Sequence, residues 1–315
     1  MRETDGEQTN NLILQHSFIY KSTMGLFSKL FGTKENTLKR QVLEKESGEK
    51  EKDSGTSCML LYESIPQFDA KSLESRIQKR LGGVVSAISC SADQEGMTAL
   101  LSLGEDQIIL AGLYFSYPKD VLDTVLQVCH FSQEFKQTFY QSQAHIFLTY
   151  RSTTVSPHLQ YDRLYQIIGC LQEEDNQAIG VIQESAMTAH PIDFLSAIES
   201  EREDLLVGKS MPFMSWIAWT GGCVKYILDQ NTIWFVTKGN HNFGLPEFAF
   251  KGRPDQGNST MQIFNALFAY MYFYKAVLAP GHTADLGTLS LKFSAVEEYK
   301  DLFIGKYGTL LVSFR

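Results

Sequence analysis

No Cys-x-x-Cys pair occurs in this chain of 315 residues, and its five cysteines (Cys58, Cys90, Cys129, Cys170 and Cys223) are odd in number and widely spaced. That pattern excludes zinc-ribbon ligand spacing and a paired disulfide framework. Apolar neighbours, as in Val128-Cys129 and Gly169-Cys170-Leu171, mark these thiols as reduced core residues of a reducing compartment. The glycine patterns of a phosphate loop and of a dinucleotide fold are missing, as are G-x-S-x-G and H-E-x-x-H. Nucleotide binding, a nucleophile elbow and a zincin site therefore have no recognisable setting. Basic residues are not in excess: 28 Lys and Arg stand against 36 Asp and Glu, for a net charge of -8. Phosphate backbones need the opposite balance, so nucleic acid is excluded as a partner. An acidic surface suits solubility or a basic protein partner.

Long hydrophobic runs are lacking too. The nearest candidate, residues 263–278, carries Asn265 and Lys275 and reads as a buried helix, not a transmembrane segment. Residues 12–20 are apolar but short and broken by Gln15 and His16, unlike a secretory signal. These absences together imply a cytoplasmic protein with no cofactor.

What is present is bulk for a core: 43% hydrophobic residues, including 21 Phe, 14 Tyr and 3 Trp. Residues 1–57 differ from the rest, because the stretch Glu44 to Asp53 is nearly all Lys, Glu, Ser and Gly. Such a segment buries too little to offset its ordering entropy, which predicts a weakly ordered extension and charged linker. Within it, Met24 offers an alternative start of translation. Leu26, Phe27, Leu30 and Phe31 form a short amphipathic patch that suits either membrane-surface contact or a frayed turn.

Regular signals begin near Cys58. A strand over 59–63 precedes a helix over 70–81, with Asp69 as N-cap and Gly82-Gly83 as its stop. Strands follow over 84–91, 97–103 and 107–115, then a helix opened by Pro118. Strand 144–150, a helix from Pro157 to Leu171, strand 178–183 and a helix over 191–203 continue the series. The last third predicts strands at 213–219, 223–228, 232–237 and 248–250. A long helix from Ser259 to about Leu278 and strands at 289–293 and 310–314 complete it. Interleaved helices with frequent hairpins indicate an α+β fold of mixed or antiparallel sheets, with helices packed on one face. Two packed lobes are expected, over residues 58–205 and 206–315.

The richest polar cluster falls in two loops, 237–247 and 281–285, and contains His241, Glu247, His282, Thr283 and Asp285. Two imidazoles with carboxylates can hold a divalent metal, and His282 with Asp285 can form an acid–base pair. The plainer reading is that these side chains satisfy turns, since Gly281 and Gly287 flank the second loop. No metal is assigned on spacing alone. His145, opening an apolar strand, reads as a hydrogen-bonded structural imidazole. Trp216 and Trp219 lie three apart on one strand and so point to opposite faces, one to the core and one as a candidate partner contact.

The segment Thr237-Lys238-Gly239, followed by Phe243-Gly244-Leu245-Pro246-Glu247, resembles the T-x-G then F-G-x-x-E pattern of the bacterial "domain of unknown function 4261" family. Gly281-His282-Thr283 resembles that family's G-x-T turn after a long helix, and Ala144-His145-Ile146-Phe147-Leu148 its His-bearing strand. The resemblance covers most of residues 58–315 and implies a bacterial, cytoplasmic protein without an assigned activity. The expected function is therefore a non-catalytic protein that binds another protein, such as an immunity or accessory protein. Two alternatives stand beside it. One is a metal-dependent enzyme using His241, Glu247, His282 and Asp285; the other is a small-ligand sensor with a pocket between lobes.

Overall fold

Alternation of apolar side chains writes the first sheet directly into the chain. The computed structural model describes residues 56–193 and 222–315, apart from residues 95, 130–131, 153–154, 173–175, 177, 229–231, 288, 300–301 and 304. The expected strand over 213–219 with Trp216 and Trp219 lies outside the described residues. So do most of the expected helix over 191–203 and the N-terminal extension with Leu26, Phe27, Leu30 and Phe31. The described residues fall into two compact units, 56–193 and 222–315.

In the first unit the strands are β1 (Thr56–Tyr62), β2 (Ala87–Ala92), β3 (Gly96–Leu103), β4 (Asp106–Leu113), β5 (Ala144–Arg151), β6 (Ala178–Gln183) and β7 (Thr188–Pro191). They form one antiparallel sheet in the order β2-β3-β4-β5-β1-β6-β7. Helices α1 (Ala70–Leu81) and α4 (Pro157–Leu171) pack together over the face that carries Thr56, Leu60, Leu148 and Tyr150. Asp69 starts α1 by accepting from the Ser72 N–H at 2.7 Å, and Gly82, with φ of 59°, stops it. Its inner stripe of Leu73, Ile77 and Leu81 is buried, each side chain contributing about 1.5–3 kcal/mol. At the seam with α4, the buried Tyr150 hydroxyl sits between Arg163 and Asp106, donating to Asp106 at 3.0 Å. Thr56 donates to Gln160 at 2.6 Å, so this pair of polar groups is satisfied within the layer.

The one-face arrangement holds for these two long helices. Two short ones, α2 (Lys119–Leu126) and α3 (Gln133–Tyr140), cover part of the other face, where Leu122, Leu126 and Phe139 meet Leu61 and Ile182. Helix α3 is absent from the sequence reading, because its eight residues offer only two turns, with Phe135 and Phe139 at helical spacing.

The second unit contains β8 (Gly222–Ile227), β9 (Ile233–Lys238), β10 (Glu247–Gly252), β11 (Thr283–Leu286), β12 (Leu289–Ala295) and β13 (Thr309–Phe314). Their order is β11-β12-β13-β10-β9-β8, and only β10 and β13 among these pair in parallel. Helix α5 (Gly257–Tyr272) lies in the connection that a parallel pair requires. Ile263, Phe264, Leu267 and Met271 of α5 pack on Phe235, Phe248, Phe293 and Val312 of the sheet. On the opposite face Trp234, Val236 and Ala249 are covered by Phe303, so β9 is buried on both sides and reads as a continuous apolar run.

Helix α5 differs from its sequence reading at both ends. It starts at Gly257, leaving Ser259 inside the first turn with its hydroxyl on the Gln256 carbonyl. It stops at Tyr272, six residues early, where Lys275 takes a φ of 56° and Ala276 N–H closes back on the Tyr270 carbonyl at 3.2 Å. The expected loop at 281–285 is, from Thr283 on, the short edge strand β11, with Gly281 and Gly287 turning the chain on either side of it. An α+β fold of two mostly antiparallel sheets results. No helix among the described residues is long and apolar enough to cross a membrane.

Candidate functional site

The turn between β9 and β10 is built around one carboxylate. Glu247 opens β10 and is only 2% exposed. One of its oxygens accepts from the Thr237 hydroxyl at 2.6 Å. The other accepts from the Gly239 N–H at 3.1 Å, the His241 N–H at 3.3 Å and His241 Nδ1 at 2.9 Å. The Thr237 hydroxyl in turn accepts from the Phe248 N–H at 2.8 Å and the Asn240 amide at 3.2 Å. Asn240 also reaches the Pro246 carbonyl at 3.0 Å.

Local sequence explains the shape. Gly239, with φ of 105°, turns the chain out of β9 in a conformation that L side chains avoid. Residues Asn240–Phe243 then make one 3₁₀ turn, which swings His241 back over Glu247. The approach of the 305–308 turn to the same carboxylate depends on a second glycine: a Cβ at Gly305 would lie 2.9 Å from Glu247 Cγ. Lys238 is half-buried beside this turn; burial pulls its ammonium below the ordinary lysine range, and the Glu247 charge opposes that.

A carboxylate offers about four lone-pair directions, and Glu247 has four donors. Three of these donors share one oxygen and the fourth takes the other, so the buried carboxylate is engaged on both oxygens by its own turn. The residues predicted to join it do not arrive. Thr283 and Asp285 belong to β11 and His282 immediately precedes it, and this strand is separated from β10 by β12 and β13. Three strand spacings place them roughly 14 Å or more from Glu247. His282 and Asp285 do not form a pair either, because residues three apart on a strand face opposite ways. Asp285 accepts from Ser290 of β12 at 2.6 Å, across the register, and both it and His282 are exposed. Among the described residues, no three His, Cys, Asp or Glu side chains are gathered so as to hold a metal ion.

His145 is a buried imidazole whose Nδ1 lies 3.0 Å from the Phe115 carbonyl, with Phe115 and Tyr117 edge-on to its ring. Burial pulls its pKa below the ordinary value of 6.5. A hollow of about 460 Å³ in the first unit is lined by Ser57, Met59, Phe147, Ile182, Glu184 and Ser185, and its carboxylate, Glu184, is engaged by the Tyr117 hydroxyl.

The feature that sequence reading missed lies beside the Glu247 turn. Phe243 packs edge-on to Tyr272 at 5.1 Å, and Tyr272 edge-on to Phe273 at 4.8 Å. Beyond them Phe273 (42%), Tyr274 (41%) and Val277 (52%) are exposed, and the Lys275 ammonium sits 4.7 Å over the Tyr272 ring. A signal was available: four consecutive residues, Tyr272 to Lys275, cannot share one face of a helix with a period of 3.6. Comparison with protein-family models, with curated proteins and with solved structures returns no match.

Proposed function

We propose that this is a non-catalytic binding protein whose contact surface is the aromatic end of α5 together with the 240–243 turn. The observation that carries this reading is the grouping of Phe273, Tyr274 and Val277 at the surface. Exposed aromatic side chains are the composition of protein contact sites, where they contribute large area at low entropy cost. Helix α5 and the Glu247 clamp hold this surface from two sides, so little ordering is left to be done on binding. The engagement of both Glu247 oxygens by the turn and the distance to His282 speak against the metal-enzyme alternative.

Thr237, Gly239 and Glu247 are letters of the pattern that resembles the domain of unknown function 4261 family. Thr237 and Gly239 both donate to Glu247, so in this fold these three residues form one turn. We propose membership of that family, a bacterial origin and a cytoplasmic location. Five free thiols support the last of these. An immunity or accessory protein that holds a partner toxin is the form we propose for the binding role.

The test is affinity capture with the full chain from extract of its native host, beside a Phe273→Ser, Tyr274→Ser variant. One protein retained by the native chain and lost by the variant is expected. Catalytic turnover by a chain that retains no partner overturns the reading.

A further inference from the structure

Among the described residues, strand β2 lies at the edge of its sheet, with β3 as its one neighbour. Its hairpin closes with the Asp93 N–H on the Gly96 carbonyl at 3.0 Å. Alternation along an antiparallel pair then turns the main-chain groups of Ser91, Ser89 and Ala87 toward β3. Those of Ile88, Cys90 and Ala92 point away from the sheet. Helix α1 lies against this strand, but within it Ala-Ile-Ser-Cys-Ser-Ala carries no charge, no proline and no bulge.

One device stands in place of all of these. Glu74, on α1, reaches past the strand and accepts from the outward Cys90 N–H at 2.9 Å. Its carboxylate oxygen occupies the position that the carbonyl of an added strand takes. Cys90 is the middle of the three outward residues, so a single blocked donor spoils any six-residue pairing.

The strand is also close to a palindrome, and this identifies the occupant that the block excludes. Antiparallel pairing of two copies about Cys90 sets Cys90 opposite Cys90 and Ile88 opposite Ala92. Each of these is a hydrogen-bonded pair, and every outward group is used. No like charges oppose one another within the strand.

We infer that Glu74 is an edge guard, which keeps β2 of one molecule from pairing with β2 of a second copy. Sedimentation velocity and amide hydrogen exchange on the full chain test this. In the native protein the Cys90 amide is expected to exchange more slowly than those of Ile88 and Ala92. Glu74→Gln, which keeps the acceptor oxygen, is expected to stay monomeric. Glu74→Ala is expected to tighten self-association about tenfold or more, the factor matching loss of one charge-assisted hydrogen bond. An added azo-dicarboxamide oxidant, which takes up the two electrons and two protons released by two Cys90 thiols, should then join two copies through a Cys90–Cys90 disulfide. Adding Ser91→Lys to Glu74→Ala should reverse the association, since a lysine on the edge opposes strand addition. The inference is overturned if Glu74→Ala remains monomeric or if Ser91→Lys leaves its association unchanged. It is equally overturned if the native Cys90 amide exchanges as fast as its outward neighbours, a result that does not depend on any variant folding.

Discussion

The Thr237 hydroxyl donates to the buried Glu247 carboxylate at 2.6 Å, and this bond ties the end of β9 to the start of β10. Because the same carboxylate also takes two backbone N–H groups and an imidazole, its role is architectural. Glu247→Ala leaves four donors without their acceptor in a buried turn. A loss of about 2–4 kcal/mol is expected, read as a lower midpoint in urea denaturation. A loss under about 0.5 kcal/mol would mean that the clamp contributes nothing to stability.

Metal addition separates the architectural reading from the enzymatic one. Native protein heated with Zn²⁺ or Mn²⁺ is expected to melt at the temperature of the untreated protein, because a ligand that binds the folded state must raise it. A rise of several degrees that is removed by His241→Ala and by His282→Ala alike would restore the metal-enzyme alternative.

The exposed aromatics at the end of α5 are expected to be dispensable for folding. Phe273→Ser with Tyr274→Ser should change stability by no more than about 1 kcal/mol, since surface positions tolerate exchange. Partner capture should nonetheless be abolished. Equal capture by variant and native chain would move the contact surface elsewhere on the molecule.

His145 gives the protein a pH response of known sign. Burial lowers its folded pKa, so between that value and 6.5 the unfolded chain holds a proton that the folded chain does not. Stability should therefore be insensitive to this group above pH 6.5 and should fall as pH drops below it. Thermal melts between pH 7.5 and about pH 5 should show a smaller slope for His145→Asn than for the native chain. Equal slopes would mean that His145 is not the responsible group.

The sequence by itself determined the class of fold and most of its elements. Asp69 and Gly82 mark both ends of α1 because capping is a local hydrogen bond and a local backbone angle. The strands of the first sheet are legible because period-two alternation depends on each residue's own side chain. The end of α5 was less legible, since Lys275 adopts a left-handed backbone that no local preference of lysine announces. The candidate site was half legible: His241 and Glu247 do meet, six residues apart, through a turn that Gly239 permits. Whether His282 joins them is a matter of strand order, and β12 and β13 stand between. Strand order comes from which apolar faces bury best together over long separations, and so only the tertiary structure decided it. The same holds for Glu74 and Cys90, sixteen residues apart on a helix and an edge strand, whose meeting depends on how α1 lies over the sheet.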